Sequence, residues 1–301
     1  MNNFTDRPKD KFVVVRLLTT RSLLPSKSYL NKDASLVVRP DVSFCATRAQ
    51  ATDEYYELGW CHPNEIALFS SVVIGAHPDY GKAFIFPVRW PLYVQDVGQD
   101  LSDKNYLEAL ATDIRSDIGS KLGTSSQLNP WEELPPVFIR TQYQLNEHIR
   151  LEHEYQEFLR SKIDCQNDLI IRGLAHLLKC GMLTQLGRMF YDTACLELYV
   201  SLEATLHIIL DRLRKSGVNN PSNKDASDYL LEKFGEPYRL DRYYPDFYDD
   251  RIKALHPDSR FGTAKFVPLH VDDLYMLYNG LLRNYELLIT GKPNCFKQYE
   301  N

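Results

Sequence analysis

In the stretch YYPDFYDDRIKALHPDSRFG, residues 243–262, Arg251 and His256 stand five residues apart and Pro257 follows the histidine. Arginine is permanently cationic and grips a phosphate through parallel N–H donors. Histidine, with an unperturbed pKa of about 6.5, exchanges a proton near neutral pH. Together the two suffice for metal-free RNA cleavage, in which the ribose 2′-OH is the nucleophile and the protein moves protons and stabilises charge on the phosphorane. On an unbroken helix, five residues turn the side chain by roughly 140° net, so the pair would diverge. Pro257 pushes His256 out of the α region. The helix is therefore expected to end between the two residues, which lets them converge.

Two further groups could serve such a site. Glu203 interrupts an apolar stripe formed by Leu196, Tyr199, Leu206, Leu210 and Leu213. A buried carboxylate without a partner is costly, so Glu203 should be paired, protonated or near solvent. It either orients Arg251 or His256, or makes an ordinary salt bridge to Arg283 or another neighbour. The run YRLDRYY interleaves Arg239 and Arg242 with Tyr238, Tyr243 and Tyr244. Aromatics stack on bases and arginines neutralise phosphates, so these residues either contact RNA or form a loop packed by its own tyrosines.

Other spacings carry less. His148 and His153 are five apart, not the four that places two zinc ligands on one helical face. Cys61 and His62 are adjacent, a poor geometry for a nucleophile and its base. Asp246, Asp249 and Asp250 suit a helix N-terminus without a metal. No P-loop, GxGxxG or GxSxG is present. No metal or cofactor is expected.

The elements that must position the pair follow from composition and period. The chain has 301 residues, room for two domains, and a formal net charge of −5 that argues against non-specific DNA binding. Its six cysteines contain no CxxC pair and read as buried thiols in a reducing compartment. No apolar run approaches the roughly 18–20 residues of a membrane span. The expectation is a soluble cytoplasmic protein.

KFVVVRLL, ASLVVRP, VSFCATR, YYELGWC, IALFSSVVIGA and KAFIFPVRWPLYV read as strands of a mostly antiparallel sheet. The following segment 106–123 has a helical period, which makes residues 1–136 an α+β domain ending in the linker TSSQLNPWEELPP. Residues 137–301 read as helical. Gly181 and Gly187 interrupt one segment, a long helix runs to Gly217, and a short helix covers ASDYLLEKFG. A final helix is capped by Asp272 or Asp273 and stopped by Gly291.

YVSLEATLHIIL, then YDDRIKALHP, then VDDLYMLYNGLLRNYELLITG resemble the HEPN family, in its Apea-like form, over about residues 165–291. HEPN bundles occur in RNA-processing, toxin and defence proteins. The resemblance implies that Arg251 and His256 occupy the R-x4-6-H ribonuclease motif, that two bundles pair as a homodimer, and that RNA is cut to a 2′,3′-cyclic phosphate. It also implies that the N-terminal domain, or a regulatory protein or ligand bound there, controls the activity. Active members carry a polar residue after the arginine, where this chain has Ile252. A non-catalytic binding or scaffold module is therefore the alternative.

Overall fold

The computed structural model describes residues 4, 10–18, 28–39, 42–50, 62–75, 92–122, 154–185, 190–235, 242–247, 271–293 and 295, with the side chains of 117–122 and 271–272 outside it. The linker at 124–136, together with Arg239, Arg251 and His256, lies outside the described residues.

Four strands form one antiparallel sheet in the order β2-β3-β1-β4. β1 (Lys11–Leu18) is central, β2 (Ala34–Val37) and β4 (Leu92–Gln95) are the edges, and β3 (Ser43–Gln50) joins β2 to β1. Lys11 pairs with Gln50 and Leu18 with Ser43, while Phe12 pairs with Gln95 on the other side. Residues alternate between faces along a strand. Val13, Val15 and Leu17, with Phe44, Ala46 and Val94, therefore point one way, onto Leu107, Leu110 and Ile114 of α2 (Lys104–Leu122). Leu36 and Cys45 point the other way, into the largest core.

That second face meets a correction. IALFSSVVIGA is not a strand: it lies in α1, a helix over Pro63–Gly75. Pro63 occupies the first turn, where its missing N–H costs nothing, and Glu65 sits near the positive end of the helix. Nearly every residue of α1 is buried, so its pattern is apolar all round and shows no helical period. Only length separates such a helix from a buried strand.

α1 lies against the sheet on one side and against α3 (Asp168–Gln185) and α6 (Val271–Thr290) on the other. One core consequently runs from Leu36 and Cys45, through Phe69 and Val72, to Leu174, Leu198 and Tyr285. It joins residues on both sides of the boundary expected near 136.

α3 is continuous through Gly181. α4 (Tyr191–Lys215) folds back along it, with Gly173 beside Ser201 and His176 beside Glu197. Gly173 is required by this approach, since a Cβ there would sit 2.0 Å from the Tyr285 hydroxyl and 2.7 Å from the Ala204 Cβ. α4 is the one described helix long and apolar enough to cross a membrane, yet most of that apolar stretch is buried inside the bundle.

α5 (Asn223–Phe234) begins three residues earlier than its apolar pattern implies. Ser222 and Asp225 form a reciprocal capping box that recruits the polar SNKD into the helix. Residues 243–247 make one further helical turn. α6 starts at Val271, so Asp272 and Asp273 lie inside its first turn and do not precede it; it ends at Gly291, whose φ is +77°.

Candidate functional site

The segment carrying Arg251 departs from a fixed point. Tyr243 and Tyr244 are both buried, Tyr244 to 1% exposure. Their rings meet edge to face at 5.1 Å, and Tyr243 makes a second such contact with Phe247. The Tyr244 hydroxyl lies 3.0 Å from Thr205 Oγ1 on α4, and its backbone N–H donates to Ser227 Oγ on α5 at 3.1 Å. Burial pushes both phenols well above their ordinary range. These two tyrosines are core residues, in keeping with the second alternative drawn from the sequence, a stretch packed by its own tyrosines. A base stacks only on an accessible ring face, and theirs are spent on protein.

Arg242, beside them, is exposed and holds Asp246 one turn on, Nε donating to Oδ1 at 2.9 Å. Its guanidinium faces solvent on the surface of the anchor.

Glu203 does not sit in the core. The buried face of α4 is built by Cys195, Leu198, Ser201, Leu202, Thr205 and Ile209. Ser201 and Thr205 are polar by letter and core by position, and Leu196 is apolar by letter and exposed. Tyr199, Leu206 and Leu210 of the inferred stripe are buried too, but counting apolar letters widens the stripe past its edge and sweeps Glu203 into it. The Glu203 side chain is 42% exposed and pairs with His207 one turn on, at 3.7 Å. The cost of a buried carboxylate does not arise.

The bundle interior is polar in an ordered way. Ser201 Oγ donates to the Gly173 carbonyl at 2.9 Å, and Tyr285 donates to the Ser201 carbonyl at 3.1 Å. Thr205 Oγ1 donates to the Leu202 carbonyl at 2.7 Å while meeting Tyr244. Glu286, buried on α6, accepts from the Tyr155 hydroxyl and, at 2.7 Å, from the Cys295 backbone N–H. This carboxylate fastens the chain after α6 to the helical segment 154–162.

One arrangement of chemical interest had no counterpart in the sequence. His176 on α3 and Glu197 on α4 meet across the helical hairpin, Nδ1 to Oε2 at 2.5 Å, each about one-fifth exposed. A carboxylate on Nδ1 orients the ring and sets which nitrogen carries the proton. That is the relation between a base and its orienting group. Its only signal is the register of two antiparallel helices, which spacing along a single helix does not contain.

Among the described residues, no group of three or more histidine, cysteine, aspartate or glutamate side chains could hold a metal ion. No family model, no curated protein and no solved structure matches the chain.

Proposed function

We propose that the chain is a metal-independent endoribonuclease of the HEPN type. His256 transfers the protons, Arg251 holds the phosphate and its transition-state charge, and two copies pair through the helical bundle. What supports this reading above all is the pairing of arginine and histidine at R-x4-H spacing, with Pro257 to turn the histidine. Arg251 also follows Phe247, the last described residue of the Tyr243–Tyr244 anchor, by four positions in the chain, and that anchor is bonded to α4 and α5. Control of the bundle from the sheet side through α1 accords with the core that runs from the sheet into the bundle.

The test is cleavage of a mixed RNA substrate by the full chain in EDTA, beside folded Arg251→Ala and His256→Ala variants. Cutting by the unsubstituted protein alone, leaving 2′,3′-cyclic phosphate ends, is the expected result. Cutting retained in both variants would overturn the assignment.

A second reading, a non-catalytic binding or scaffold module, is favoured by the burial of Tyr243 and Tyr244, which removes the stacking platform. Ile252 and the net charge of −5 point the same way. RNA binding and cleavage both absent from a folded dimer would select it.

A further inference from the structure

The helical segment 154–162 carries two polar side chains on one face, a turn apart, each with a buried atom that has no hydrogen-bond partner. The Arg160 side chain is 12% exposed, and its ion-pair neighbour is Glu157 of the same segment, at a loose 3.9 Å. Its Nη1 is closed off from solvent and has no hydrogen-bond partner. Gln156 is 4% exposed, and its Oε1 is likewise buried with no partner. α1 closes over Gln156: a Cβ at Gly75 would fall 2.6 Å from Gln156 Cγ.

Beyond the loosely placed Glu157, the described groups around Arg160 do not supply an anion. Cys45 on β3 and Cys165 both feel its charge, but burial pushes both thiols up and keeps them neutral. Glu65 is already bound to Arg16, Nε donating to Oε1 at 2.5 Å. Asp33 also lies in its field, but is half-exposed and 4.0 Å from Arg48. Burial, the dominant influence, pulls the Arg160 guanidinium below its ordinary range.

A guanidinium has five donors and no acceptor, and native interiors pair nearly all such groups. An isolated buried charge is costly. Gln156 Oε1, as placed, is an acceptor that lacks a donor. A ligand that fits this pair must therefore be an anion that also carries a hydrogen-bond donor. Hydrogen phosphate keeps a P–OH near neutral pH; sulfate has none, and a phosphate monoester, whose second pKa is about 6, is mostly a dianion without one.

We propose that Arg160 and Gln156 form a binding site for hydrogen phosphate, at the junction of the sheet, α1 and the 154–162 segment. The site is separate from the ribonuclease reading and stands whether or not that reading does.

The experiment follows thermal unfolding and calorimetry of the full chain at pH 7 with inorganic phosphate, methyl phosphate, sulfate and chloride at matched ionic strength. A ligand that binds only the folded state raises the midpoint in a saturable way. Inorganic phosphate is expected to do so and chloride not, with sulfate and methyl phosphate, mostly a dianion at pH 7, weaker by about tenfold, the worth of one hydrogen bond.

Arg160→Met is expected to abolish the saturable response and to unfold, without phosphate, no lower than the unsubstituted chain, because a buried charge is gone. Gln156→Leu is expected to keep the response but lose the preference over sulfate, and it carries the test should Arg160→Met fail to fold. No saturable response to inorganic phosphate, a full response in Arg160→Met, or an intact preference in Gln156→Leu would each overturn the proposal.

Discussion

The bundle and the junction between sheet and helix both bury polar groups, and they do so differently. In the bundle, Ser201, Thr205, Tyr244 and Tyr285 bond to one another or to helix carbonyls. At the junction, Arg16 and Glu65 form a closed ion pair, while Arg160 and Gln156 present polar atoms to no protein partner. A network whose members satisfy each other fixes helix against helix and needs nothing from outside. The bundle has leftovers of its own, the Tyr243 hydroxyl and Asn284 Nδ2, but both are neutral; a guanidinium with only a loose partner in a closed-off place points to something the protein takes up. The contrast is therefore one of charge, which burial alone does not show.

The largest effect that would break this comparison is expected from pH. Burial raises the phenols of Tyr243, Tyr244, Tyr278 and Tyr285 above their ordinary value of 10.0, and Tyr275 is pushed up to about 12. A phenol that ionises more readily unfolded than folded contributes its full stability below pH ~10. Above that pH the unfolded chain has lost the proton first, so stability falls as pH rises. Tyrosinate absorbance and circular dichroism should then change together in one cooperative step. Gradual ionisation with the helices intact would mean that the bundle network is open to water.

Next in size is the closed pair at the junction. Glu65→Ala takes the carboxylate away from buried Arg16 and is expected to cost about 3–5 kcal/mol in urea unfolding, whereas Arg16→Met with Glu65→Leu should recover most of it. A loss no greater than that of a surface substitution would show the junction to be hydrated. Gly173→Ala tests the other region. Its methyl group must displace Tyr285 or part α3 from α4, and a loss of ~1–3 kcal/mol is expected.

Smallest is Glu203→Gln, under ~0.5 kcal/mol for a half-exposed pair one turn apart. If RNA cleavage is established, this variant should retain it. A folded variant that has lost cleavage would restore an orienting role for Glu203.

Legibility followed the source of each signal. β1 and β3 show in short β-branched runs, and α4 and α6 in strong apolar periods closed by Gly217 and Gly291, all local properties. α1 was missed because burial on every side erases the period. The start of α5 was missed because Ser222 and Asp225 act as a cap although they read as loop residues. In the candidate site, the arginine and histidine spacing is visible as text, but Tyr243 and Tyr244 look like a stacking platform until the bundle closes over them. His176 with Glu197, and Arg160 with Gln156, have no textual signal at all.

By itself, then, the sequence determined what is local: the antiparallel sheet, the long helices and their stops, and the placing of Arg251 and His256 beside a proline that disfavours helix. Tertiary structure alone decided which polar residues are satisfied. Whether Ser201 is a core bond and Glu203 a surface one, or whether Arg160 is paired, depends on which element packs across from it. Hydrogen bonds and burial are relations between groups far apart in the chain, such as Gly173 and Tyr285 or Arg16 and Glu65, and they arise only when the fold brings those groups together.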